Sequence, residues 1–157
     1  MNINDKDAGF YMVPAGGGSA SGVAAGTGDN TEALGAIVDQ LAHDGLRSGA
    51  IFVFGSAVLG EDETLALNDL KIEHGDESDL SDAADYEYFS APADNAAVAT
   101  GGTGGTTEAV AFKQRVNLQG VKRYWRVSVT PDLSASGTDT FALGFGVVAI
   151  GQEAPAE

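Results

Sequence analysis

Arg123-Tyr124-Trp125-Arg126-Val127-Ser128-Val129-Thr130 alternates without a break: Trp125, Val127 and Val129 fall on one side of an extended chain, and Tyr124, Arg126, Ser128 and Thr130 on the other. Successive side chains of a strand point to opposite faces, so this pattern predicts a strand with one face on a core. Trp125, in the middle of the apolar series, is expected to anchor that core rather than to stack on a ligand.

The same period appears on both sides of this stretch. Phe112, Gln114, Val116 and Leu118 share one face, with Lys113, Arg115 and Asn117 on the other. Phe141, Leu143, Phe145, Val147 and Ala149 share a face, and glycines 144 and 146 on its reverse would let another element approach closely. Farther upstream, Ala50-Ile51-Phe52-Val53-Phe54 and Ala36 to Gln40 predict buried strands at about 49–59 and 35–41. Thr64-Leu65-Ala66-Leu67 alternates, and the apolar phase restarts at Leu70 and Ile72 after Asn68-Asp69. A one-residue phase change of this kind predicts a β-bulge inside a strand that runs to about His74.

Between these strands lie an acidic loop, Gly75 to Asp85, a brief aromatic strand, Tyr86 to Phe89, and a stretch from Asp94 to Thr107 rich in Ala, Gly and Thr that reads as a long flexible loop. Helix is expected for at most two turns, at Thr31 to Leu34 or around Gln40 to His43. Seven or eight strands result, and the expected fold is all-β: a single-domain antiparallel β-sandwich, jelly-roll-like, over residues 31–157.

Residues 1–30 are expected to be a flexible N-terminal arm. Residues 15–30 (AGGGSASGVAAGTGDN) are nearly all small and lack side chains to offset the entropy of ordering them. Ahead of them, Phe10-Tyr11-Met12-Val13-Pro14 either adds a strand to a neighbouring molecule's sheet or forms the first strand of its own.

The chain has 157 residues, no cysteine and 22 glycines, so neither a disulfide framework nor a thiolate metal site holds it together. Its start lacks the basic and apolar stretches of a signal peptide, and no apolar run of about 18 residues occurs, so it is expected to be soluble and unexported by that route. A net charge of −15 argues against nucleic acid and against anionic membrane as partners. Residues 1–112 hold 3 basic against 19 acidic groups, residues 113–157 hold 5 against 4, and two electrostatically different surfaces are expected.

Chemistry-bearing motifs are sparse. His43 and His74 stand in no metal-ligand spacing. Asp76, Glu77, Asp79, Asp82 and Asp85 crowd one loop where a calcium ion is conceivable. That loop lacks the central glycine and terminal glutamate of the helix-loop-helix calcium motif, which favours a solvated acidic loop. Gly16-Gly17-Gly18 and Gly101-Gly102-Thr103-Gly104-Gly105 lack the Lys-Ser/Thr partner of a phosphate-binding loop. Ser90 and Ser128 sit in no nucleophile-elbow context. No catalytic residue and no cofactor are expected. Lys113, Arg115, Lys122, Arg123 and Arg126 gather on adjacent predicted strands and their turn, to pair either with acidic loops of a neighbouring copy or with this chain's own carboxylates.

Ile72-Glu73-His74-Gly75-Asp76-Glu77, then Gly120-Val121-Lys122-Arg123-Tyr124-Trp125-Arg126-Val127, then Val129-Thr130-Pro131 and a final apolar strand ending near Gly151 resemble, over residues 35–151, the small capsid-decorating (cement) proteins of tailed bacteriophages. Relative to that pattern the glycine-rich stretches are long, and Trp125 stands where an aliphatic residue is commoner. The resemblance implies a non-enzymatic virion protein on the outer surface of the capsid, stabilising the shell by bridging major capsid protein subunits, as a homotrimer. On this reading Phe10, Tyr11, Met12 and Val13, with the five basic residues, are the candidate interface. Rival classes are a tail or head-completion protein and a glycan-binding adhesion module, the latter using Tyr86, Tyr88 and Trp125 as stacking platforms.

Overall fold

The computed structural model describes residues 10–13, 19–23, 30–43, 46–89, 91–134 and 138–151. They form eleven strands: β1 Phe10–Val13, β2 Ser19–Val23, β3 Ala33–Leu34, β4 Val38–Asp39, β5 Leu46–Leu59, β6 Thr64–Gly75, β7 Ala84–Tyr88, β8 Ala97–Thr100, β9 Thr106–Asn117, β10 Tyr124–Leu133 and β11 Thr140–Gly151. A single 3-10 turn, Gln40–His43, follows β4.

Two antiparallel sheets pack face to face. In the first, β5 lies between β9 and β11, and both β1 and β2 pair with the other edge of β11. In the second, β6 lies between β10 and the successive short strands β7 and β8, while β3 and β4 pair with the outer edge of β10. The chain crosses between sheets from β2 to β3, β4 to β5, β5 to β6, β8 to β9, β9 to β10 and β10 to β11, so the long strands of each sheet come from distant stretches. The all-β sandwich expected from the alternation is the observed fold.

The inward faces are the predicted ones. Trp125, Val127 and Val129 of β10 are fully buried, with Ile51 and Val53 of β5, Val116 and Leu118 from the region of β9, and Phe141 and Leu143 of β11 in the same core. Trp125 also satisfies its polar atom, its Nε1–H donating to Gln40 Oε1 at 3.1 Å. In β6, the register against β10 slips between Ser128 and Thr130, where Asp69 takes a positive φ of 48°. This bulge lets Leu65 and Leu67 on one side of it, and Leu70 and Ile72 on the other, all reach the core. Asp94 and Asn68 hold the bulge: Asp69 N–H donates to Asp94 Oδ1 at 3.0 Å, and Asn95 N–H to Asn68 Oδ1 at 2.6 Å.

Several expectations are corrected. The strand expected at 35–41 is the short bridge β4 to β10 followed by the 3-10 turn, whose Gln40 accepts from the indole of Trp125, and of the two places where helix was expected, Thr31 to Leu34 instead holds the bridge β3. The stretch from Asp94 to Thr107 is not a long loop: it contains β8, which continues the edge begun by β7. Its glycines form a tight turn, with Gly104 and Gly105 at φ 78° and 83°. Gly101 is buried so close to Gly60 that a Cβ there would lie 1.9 Å from the Gly60 carbonyl oxygen. Within the segment expected to be an arm, β1 and β2 pair with β11 of the same chain, which makes Phe10–Val13 a strand of its own sheet. Residues 14–18 and 24–29 lie outside the described residues.

Candidate functional site

The sandwich exposes two outer faces, and alternation along each strand decides what they carry. The outer face of the first sheet is built by the strand positions that alternate with the core: Phe52, Phe54, Ser56 and Val58 on β5, flanked on β9 by residues 107, 109, 111 and 113 and on β11 by residues 140, 142, 144 and 146. Phe54 is 54% exposed and Val58 48%. The ring of Phe54 lies across β11, so close that a Cβ on Gly144 would sit 2.9 Å from its Cε2. The element expected to approach glycines 144 and 146 is thus this phenylalanine. Among the described side chains of this face there is no carboxylate, and the charges are Lys113 and Arg115, both exposed and, among the described residues, in no ion pair.

The outer face of the second sheet is the opposite. Lys71 Nζ lies 2.9 Å from Asp85, 3.2 Å from Glu73 and 3.7 Å from Glu32, and Arg126 Nε donates to Glu73 Oε2 at 2.8 Å. Burial pulls the Lys71 ammonium down, but hydrogen bonds to Asp85 and Glu73 outweigh it and hold the group well above the ordinary lysine range. Ser128, in register with Lys71, is fully buried and its Oγ has no hydrogen-bond partner among the described residues. The Lys71 ammonium is engaged by carboxylates on three sides, and the Ser128 hydroxyl has no exposure. The network is a compensated structural cluster.

At one end of this sheet the acidic loop folds back on itself. Asp82 accepts from the backbone N–H groups of Asp76, at 2.8 Å, and Glu77, at 3.1 Å. Those bonds hold its carboxyl below the usual range. Lys122 Nζ reaches Asp76 at 2.8 Å and Asp82 at 3.8 Å. His74 Nδ1 accepts from Lys122 N–H at 3.2 Å, and its ring lies 5.0 Å from that of Tyr86. Tyr86 in turn donates through its hydroxyl to the Asn117 carbonyl and accepts from Gly120 N–H. Among the described residues no group of three or more Asp, Glu or His side chains converges as metal ligands do.

The five basic residues expected together are divided between the two sheets. Lys122 pairs within its own loop region, Arg123 makes a two-pronged contact with Asp39 at 3.1 and 3.0 Å and stacks 4.8 Å over the Tyr124 ring, and Arg126 pairs with Glu73. Only Lys113 and Arg115 stand on the other outer face. The physical reason is the crossing between β9 and β10, which sends sequence-adjacent strands to different sheets. The side chains of Phe10, Tyr11, Met12 and Val13 lie outside the described residues; their backbone pairs with β11.

The two stretches that carry the resemblance are side by side: Ile72 pairs with Val127, Glu73 with Arg126, His74 with Trp125 and Gly75 with Tyr124. No protein-family model, curated protein or solved structure matches this chain.

Proposed function

We propose that the chain is a non-enzymatic structural protein that decorates a bacteriophage capsid from its outer surface and stabilises the shell by bridging major capsid protein subunits. The resemblance of residues 35–151 to capsid-decorating proteins supplies the class. The observation that carries a docking role is the first sheet's outer face, whose described side chains are apolar, small or cationic in a chain of net charge −15. A solvated face of so acidic a chain would carry carboxylates, as the second sheet's does; charge depletion and an exposed aromatic are the composition of a contact surface. Partners are then the major capsid protein and further copies of this chain, with neither nucleic acid nor membrane.

The glycan-binding alternative loses support from the position of its aromatics. Trp125 has no exposure, and the Tyr86 hydroxyl is taken up by Asn117 and Gly120. The side chain of Tyr88 lies outside the described residues.

Quantitative mass spectrometry of purified virions tests the proposal through the copy number of this chain relative to the major capsid protein. Hundreds of copies are expected. A handful would move the chain to a tail or head-completion position, and absence would end the virion reading.

A further inference from the structure

The outer face of the first sheet is self-complementary, and we propose that it binds the same face of a second copy across a two-fold axis. Cross-strand register divides the face into rows. One row is Phe52 with Lys113 and Gly146, the next Phe54 with Ala111 and Gly144, then Ser56 with Ala109 and Ala142, then Val58 with Thr107 and Thr140. Bulk and positive charge therefore sit at one end and small side chains at the other.

A two-fold axis between the sheets, perpendicular to the strands at the level of Gly55, exchanges the row of Phe54 with that of Ser56. Each Phe54 ring, which leans over β11, then lies on the other copy's Ala142 and Ser56, and the two rings sit at different levels along the strands. The same operation carries Arg115, which pairs in register with Ala50, to the level of the other copy's Gly60, beside its exposed Glu61 and Asp62. Arg115, in no ion pair among the described residues, thus approaches the acidic end of its counterpart, twice per dimer, while Lys113 faces the other copy's row of Val58 and Thr107. An isologous contact requires a surface complementary to itself in this way, and stacking two sheets about 10 Å apart is the ordinary geometry of sandwich cores.

The face spans four rows across three to four strands, about 500 Å² per copy from usual strand dimensions. The roughly 1,000 Å² total lies at the lower limit for a specific interface, so the pair is expected to dissociate on dilution. Arrangement as a two-fold pair differs from the trimer that the resemblance implies, and it does not depend on the capsid reading.

Analytical ultracentrifugation of the full chain, over a concentration series at a salt level that screens the self-repulsion of a −15 chain, decides the matter. The expected mass rises from that of one 15.9 kDa chain to that of two. Phe54→Lys, at an exposed position and checked for folding by tryptophan emission, is expected to remain a single chain throughout. Arg115→Glu is expected to weaken association at least tenfold, and adding Glu61→Arg to restore most of it. A single-chain mass at every concentration, a three-chain mass, or a dimer indifferent to Phe54→Lys would each overturn the proposal, whatever the virion copy number.

Discussion

The indole of Trp125 and the side-chain amide of Gln40 are joined by one hydrogen bond of 3.1 Å, which ties the centre of the core to the 3-10 turn after β4. The indole is fully buried, so its N–H has no access to water in place of Gln40. Gln40→Ala should therefore cost about 1–3 kcal/mol, the desolvation of an unsatisfied buried donor. Trp125→Ala should cost about 3–5 kcal/mol through the cavity it leaves. Urea denaturation checks both, and Trp125, the only tryptophan, reports the first directly by its emission.

Gly55 and Gly104 separate two reasons for a glycine. A Cβ on Gly55 would lie 2.0 Å from the Ala142 carbonyl oxygen, a backbone atom that cannot turn aside, whereas at Gly104 nothing lies within 4 Å and only the φ of 78° resists a side chain. Gly55→Ala is expected to destabilise by about 1–3 kcal/mol as overpacking, and Gly104→Ala by about 1–2 kcal/mol as left-handed backbone. Thermal melts should show the first with disturbed pairing between β5 and β11, readable by amide exchange, and the second with pairing intact.

Glu73 lies between Lys71 and Arg126 and is nearly buried. Glu73→Gln keeps its shape but leaves two cations sharing Asp85 and Glu32, of which Arg126 reaches neither in an ion pair. A loss of about 3–5 kcal/mol is expected, as for one partner removed from a buried pair. Replacing Glu73 and Arg126 together with apolar residues should cost much less than Glu73→Gln alone, and a double-mutant cycle measures the difference.

Stability should depend on pH in two windows. Burial, then repulsion from the Lys122 ammonium, hold His74 below the ordinary histidine value against the opposing pull of Asp76 and Asp82. The folded chain thus favours the neutral ring, which alone can accept from Lys122 N–H. This contribution is fully present above the unfolded value of about 6.5 and is lost as pH falls through the lower folded value. His74→Asn, which keeps an acceptor near the Nδ1 position and does not titrate, should flatten the urea midpoint between about pH 7 and pH 5. The second window belongs to Asp82 and Asp79, whose carboxyls are lowered by backbone hydrogen bonds. Their contribution persists above about pH 3.8 and is lost below it.

Legibility in the sequence followed side-chain size. The long strands announce themselves because Trp125, Val127, Phe141 and Leu143 must alternate to fill a core, and even the bulge at Asn68-Asp69 is visible as a slip in the apolar phase. Ser19–Val23 and Ala97–Thr100 carry no such signal: both are short edge strands of mostly small residues, bonded to β11 and β6, and the second adds only Ala99 and Val98 to the core. The division of the basic residues was hidden for another reason. Period-two patterns show which face of a strand is buried but not which sheet receives it, and the crossing after Leu118 separates Arg115 from Arg126. The apolar outer face was likewise concealed, because Phe54 reads as core until β11 is known to lie beside it.

The pairing of Phe10 with Ile150 sets an order of events for the growing chain. The first strands made are completed only by the last: β1, β2 and β5 all bond to β11, so the first sheet cannot close before synthesis reaches Gly151. Contacts this distant in sequence make folding slow, on the order of milliseconds to seconds. On the ribosome, β5 and β9 can pair early, with the edge of β5 that belongs to β11 still open to any passing strand.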